Sequence, residues 1–109
     1  MKPAARRRAR ELAVQGLYGW QMSGNPIEQI ELSIATTNNM QKVDMEYFQA
    51  LLRGVAQRTE ELDKAIKPYL GRLPEELDPV EKAILRLATL ELVERFDTPY
   101  KVVINEAIE

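Results

Sequence analysis

The chain has 109 residues, 45% of them hydrophobic and 29% charged, which is material for one modest core. It holds no Cys and no His, which removes disulfide frameworks, Cys/His nucleophile pairs, Ser-His-Asp relays and the usual zinc sites. The net charge of −2 conceals an asymmetry: Lys2, Arg6, Arg7, Arg8 and Arg10 give residues 1–10 a charge of +5 with no acid, while the remaining 10 basic and 17 acidic side chains give −7.

No run approaches the roughly 18 apolar residues of a membrane span, and no apolar h-region follows the basic start as it would in a secretory signal. The lack of Cys fits a reducing cytoplasm. Carboxylate catalysis and Mg²⁺ chemistry stay open on composition alone.

Ala9, Leu12, Ala13, Gly16, Leu17 and Trp20 recur at the spacing of one buried stripe, which predicts a helix from about residue 4 to 22, closed by Ser23-Gly24. Asn25-Pro26-Ile27-Glu28 reads as a new start, with Asn25 as N-cap, Pro26 at N1 and Glu28 at N3. Ile27, Ile30 and Ile34 form that helix's apolar face, and the polar run from Thr36 to Gln41 reads as a loop. Asp44 is placed to cap the next helix and Val43 to staple onto Phe48. Phe48, Leu51, Leu52, Val55, Leu62 and Ile66 then carry one helix to about Lys67. Gly54 inside it costs about 1 kcal/mol relative to Ala, which a close helix–helix approach would explain.

Pro68 and Pro74 bracket a short irregular or single-turn piece. Asp78-Pro79-Val80-Glu81 is a second capping box, opening a helix to about Arg95 that is apolar around most of its circumference; such a helix has to be central and nearly surrounded. Thr98-Pro99 opens a last helix, where Tyr100, Val103, Ile104, Ala107 and Ile108 keep helical spacing. The β-branched run Val102-Val103-Ile104 makes a strand the competing reading, and the spacing decides for helix. The pattern is still running at Glu109, so the chain is expected to be an incomplete version of a longer protein.

The arginines are the sharpest clue to function. A helix N-terminus is electropositive, and cations there cost a few tenths to one kcal/mol each at low salt. Selection for folding alone would place Asp or Glu there. Arg6 and Arg10 lie one turn apart with Arg7 beside them, a geometry that suits successive phosphates and bases of a single strand. DNA or anionic lipid meets the charge equally well, and a solvated arm kept for solubility is the plain alternative. The absence of a glycine-rich strand–helix junction argues for a binding protein and against an enzyme.

Six segments narrow the choice: Met1-Lys2-Pro3-Ala4-Ala5-Arg6-Arg7-Arg8-Ala9-Arg10-Glu11, Gln15 to Gln21, Asp44 to Leu52 with Tyr47-Phe48, Lys67-Pro68-Tyr69-Leu70, Val80 to Arg86, and Pro99 to Glu109. In order and across the whole chain they resemble the NusB family of bacterial transcription antitermination factors. The resemblance implies an all-α fold, a NusB-like double helical bundle of two small bundles packed across each other. Residues 1–67 would form roughly the N-terminal subdomain and residues 68–109 a partial C-terminal one, because family members continue further.

The resemblance also implies a cytoplasmic, non-enzymatic protein without cofactors. It would join NusE, a small-subunit ribosomal protein, to bind single-stranded boxA RNA in nascent ribosomal RNA transcripts. With other Nus factors and elongating RNA polymerase it would suppress premature termination. The RNA-binding arm maps onto Lys2, Arg6, Arg7, Arg8 and Arg10, and the NusE-facing positions onto Tyr18, Glu75 and Glu81. Each partner position has a plainer role as well: Tyr18 in packing beside Leu17, Glu75 in a solvated acidic turn, Glu81 as the N3 acid of the Asp78 capping box. Trp20 is read as core. Two rivals remain at this level: an RNA-binding accessory domain of a ribosomal RNA cytosine methyltransferase, and a protein-only helical scaffold.

Overall fold

The computed structural model describes residues 3–70 and 77–95, and all of their regular structure is helical. Five helices follow in order: α1 (Pro3–Ser23), α2 (Ile27–Thr37), α3 (Met45–Gln57), α4 (Thr59–Leu70) and α5 (Pro79–Arg95). The expected last helix, and with it the completion of a second bundle, lies outside the described residues.

The stripe expected on α1 is the buried one: Ala9, Leu12, Ala13 and Leu17 are fully buried, and Trp20 packs half-buried against the same core. Gly24 ends the helix. Its φ of +73° is a left-handed conformation that favours glycine, and its N–H closes on the Trp20 carbonyl at 3.0 Å.

The start of α2 corrects the sequence reading. Pro26, not Asn25, is the N-cap, and no side chain caps the helix. The Asn25 N–H instead donates to Ser23 Oγ at 3.1 Å, while the Pro26 carbonyl accepts from the amides of Gln29 and Ile30. The far end runs on to Thr37, into the stretch read as a loop. There the Thr37 hydroxyl donates to the Ser33 carbonyl and Asn38 Nδ2 to the Ile34 carbonyl, so polar side chains satisfy a last turn that extends past the expected end of the helix.

Asp44 caps α3 as expected, accepting from the Tyr47 N–H at 3.1 Å, and Val43 and Phe48 are both buried in one cluster. The single helix expected from there to Lys67 is two helices. Arg58 leaves helical geometry at φ −117°, ψ 24°, and Thr59 turns its hydroxyl back to the Val55 carbonyl at 2.7 Å. Val55 and Leu62 lie two turns apart, so the apolar spacing continues across the break and hides it. α4 also passes through Pro68 to Leu70; in the last turn the missing N–H forfeits only the bond to Lys64.

Asp78 caps α5, its carboxylate accepting from the Val80 N–H at 2.8 Å. α5 lies against α1, α3 and α4, and its Ala83, Leu87 and Leu90 join Leu12, Leu17, Phe48, Leu52, Val55 and Leu62 in one core. At Gly54 α3 and α5 approach closely: a Cβ there would stand 2.7 Å from Leu90 Cδ2. Arg86, only 8% exposed, donates from Nε and Nη2 to both oxygens of Asp63 at 2.8 Å and from Nη1 to Gln21 Oε1 at 2.9 Å, tying α5 to α4 and to the end of α1.

Two stability predictions follow from this core. Leu52→Asp or Leu87→Asp buries an unpaired charge and abolishes the folded state, read as loss of helical circular dichroism; wild-type helicity and melting temperature in both would refute the assignment. Gly54→Ala gains about 1 kcal/mol of helix propensity but forces Leu90 aside in a filled core at a cost of about 1–3 kcal/mol, so denaturant titration should show a net loss of about 1 kcal/mol.

Candidate nucleic-acid interface

The arginine row occupies the first turns of α1, and the structure sorts it into two pairs. Arg7 and Arg8 are exposed, whereas Arg6 and Arg10, one turn apart, are half-buried against α3 and α5. Lys2 lies outside the described residues. Arg8 makes an exposed ion pair with Glu11 at 3.0 Å, one turn along the same helix, which contributes little in open solvent. Arg7 makes no ion pair among the described residues.

The inner pair meets groups that sequence reasoning missed. Arg10 Nε donates to both oxygens of Glu91 on α5, at 2.9 and 3.0 Å. The Tyr47 hydroxyl, from the first turn of α3, donates to the same carboxylate. Arg6 lies over the Tyr47 ring, 4.5 Å from its centroid, and Arg10 approaches the ring to 5.5 Å. The Glu91 hydrogen bond is the main reason that the Arg10 guanidinium is held above its ordinary pKa, against the opposing effect of burial. The arm is tied by its backbone too: the Ala5 carbonyl accepts from the Asp44 N–H, at the residue that caps α3.

One signal for Glu91 was present in the sequence. It is a carboxylate set between Leu90 and Leu92 on a helix that has to be buried, and such a charge requires a partner. Nothing local named that partner, which lies 81 residues earlier. A cavity of about 320 Å³ opens beside the cluster, lined by Arg6, Tyr47, Leu51, Leu90, Glu91 and Glu94. Its carboxylates are already engaged, Glu91 as described and Glu94 by Arg58 at 2.9 Å.

The positions expected to face a protein partner lie further along α1 and at the start of α5. Tyr18 is 40% exposed, and Glu81 is exposed in the first turn of α5; Glu75 lies outside the described residues. Gln21 Nε2 donates to the Pro79 carbonyl at 2.8 Å, which sets the last turns of α1 against the first turn of α5. Tyr18 and Glu81 each lie within a turn of that contact, and Met22, Val80 and Ile84 are exposed apolar side chains on the same two segments. Tyr18 stands eight residues beyond Arg10, about 12 Å along the helix axis. Among the described residues no group of three His, Cys, Asp or Glu side chains is arranged to hold a metal ion. No helix there is long and apolar enough to cross a membrane.

Residues 7–109 match the family model described as the NusB family. The chain belongs to the NusB family. It is 79% identical over 109 residues to the transcription antitermination protein NusB of Pseudoalteromonas atlantica, covering 100% of this chain and 78% of that relative. The proteins of the same name from Proteus mirabilis and from Escherichia coli O9:H4 are 62% and 59% identical over the full chain, which covers 80% and 78% of them. Family membership makes this protein a transcription antitermination factor and not an enzyme.

The two arginine pairs should separate in stability measurements. Arg10→Ala leaves a Glu91 carboxylate that is only 17% exposed without its cation and with the Tyr47 hydroxyl alone; allowing for the solvent that reaches Arg10, this should cost about 1 kcal/mol. Arg7→Ala removes a cation from an electropositive helix end and should be neutral or slightly stabilising. Equal effects of the two substitutions in chemical denaturation would contradict the division.

Proposed function

We propose that this protein binds single-stranded RNA through the N-terminal arginines of α1 and does so as a partner of NusE on boxA RNA. In this reading it acts in the cytoplasm with other Nus factors on elongating RNA polymerase in ribosomal RNA operons. Membership of a transcription antitermination family supports the setting. The observation that carries the RNA reading is Arg7: an exposed cation without an ion pair among the described residues, at an electropositive helix end where folding would favour an acid.

The roles divide by exposure. Arg7 and Arg8 reach outward and present guanidinium forks to phosphate oxygens, with Lys2 extending the same charge. Arg6 and Arg10 contribute from fixed positions, where the guanidinium edges not used internally face the strand. Tyr18, Glu75 and Glu81 serve the NusE contact. The exposed apolar residues Met22, Val80 and Ile84 near Tyr18 and Glu81 support this, since a partner face combines apolar area with a polar rim. Glu81 is at N3 of α5, and capping and partner contact do not compete there.

Salt-dependent binding tests the reading. Each phosphate contact on a single strand contributes roughly 0.7 to the slope of log affinity against log salt. Arg7→Ala with Arg8→Ala should therefore flatten that slope for a boxA RNA by about 1.4 and weaken binding about tenfold, with helicity and stability retained. Replacing Arg6 and Arg10 as well should flatten it by about two to three units. NusE binding should survive all of these changes and fall instead with Tyr18→Ala and Glu81→Ala. An unaltered slope in the quadruple arginine variant would leave a protein-only scaffold as the better reading.

A further inference from the structure

We propose that Glu91 is a positioning residue for RNA binding: from α5 it holds Tyr47 and Arg10, and through Tyr47 it sets Arg6, so that the arm meets RNA in a fixed shape. The inference rests on the RNA reading above and adds to it a residue that bears the wrong charge for contact with RNA.

The geometry runs outward from one carboxylate. Glu91 accepts from Arg10 Nε with both oxygens and from the Tyr47 hydroxyl. Those three side chains come from α5, α1 and α3, so a single group joins the three helices at the base of the arm. The tyrosine, held at its hydroxyl, offers its ring face to the Arg6 guanidinium. Arg6 Nε is buried and has no hydrogen-bond acceptor among the described residues, so the ring rather than a carboxylate places it. The other carboxylate lining the cavity, Glu94, is occupied by Arg58 and offers the arm no substitute.

Arg10 donates to Glu91 through Nε alone, and its side chain remains 40% exposed, so the guanidinium can still meet a phosphate. A free arginine arm would lose rotamer freedom at each of these side chains when it met RNA. Two arginines already fixed by Glu91 and Tyr47 have lost that freedom on folding.

The sign of the effect makes the inference testable. If charge were all that mattered, removing a carboxylate from beside an RNA-binding arm would strengthen binding. Positioning requires the reverse. Glu91→Ala is expected to weaken binding of boxA RNA about fivefold, measured well below the melting temperature, and to flatten the salt slope by about 0.7–1.4 as Arg6 and Arg10 lose their places. Glu91→Gln keeps an acceptor at the same reach and should recover most of the loss, which a general loss of stability would not explain. Tyr47→Phe keeps the ring beneath Arg6 but frees it from Glu91; a two- to threefold loss is expected, and this variant decides the matter should Glu91→Ala fail to fold. A readout without RNA accompanies these. In ¹⁵N-arginine-labelled protein the Arg10 Nε–H should exchange slowly with water in the wild type and rapidly in Glu91→Ala.

Equal or tighter RNA binding by Glu91→Ala and Tyr47→Phe would overturn the inference alone, as would an Arg10 Nε–H that is unprotected in the wild type. Wild-type protein that failed to bind boxA RNA would remove the RNA reading itself and the inference with it.

Discussion

A helix that is apolar over most of its circumference cannot lie on a surface, and α5 imposes that condition on the rest of the molecule. α1, α3 and α4 are the cover. Burial is not directional, however, and apolar contact alone would allow α1 to slide or rotate against α5. The polar exceptions on α5 remove that freedom. Near one end Pro79 and Arg86 engage Gln21, and further along Glu91 engages Arg10. These ties run in opposite directions along the two helices, so α1 and α5 are antiparallel. The spans agree: about 16 Å of helix separates Arg10 from Gln21, and about 18 Å separates Pro79 from Glu91. Two polar side chains of α5, Arg86 and Glu91, and the Pro79 carbonyl thus select one register among several that the apolar surfaces would accept.

The same economy governs the arginine arm. Four guanidinium groups at a helix N-terminus repel one another and the helix dipole. The fold answers half of this charge internally, with Glu91 and the Tyr47 ring, and leaves the other half at the surface, where Arg8 has only its exposed pair with Glu11. An arm answered completely would have nothing to offer an anion. One answered not at all would be a loose tail. The half-answered arm is anchored and still electropositive at its outer edge.

Much of the architecture was legible in the chain because its cues are local. The α1 stripe, the Asp44 and Asp78 caps and the central place of α5 all follow from spacing within one helix. Gly54 was legible as a close approach, though not that Leu90 would be the neighbour. The misses have physical causes. Asn25 looked like a cap by residue type, but Pro26 stays extended at φ −56° and ψ 143°, so the helix starts one residue later than the reading placed it. The break at Arg58 was invisible because Val55 and Leu62 remain in phase across it. Of the candidate site, the exposed cations could be named from charge alone, and the family resemblance supplied the partner positions. The residues that hold the arm could not be named, because Glu91 reaches Arg10 from 81 positions away and a sequence read locally does not join them.

That separation has a consequence in time. A ribosome makes Arg10 before Glu91, and at about 5–20 residues per second the 81 residues between them take about 4–16 seconds. During that interval the nascent chain carries four arginines with neither the Glu91 carboxylate that anchors Arg10 nor the central helix that delivers it. The arm is thus synthesised well before the group that fixes it, and until then it is an unanchored polycation tethered to a ribosome made largely of RNA.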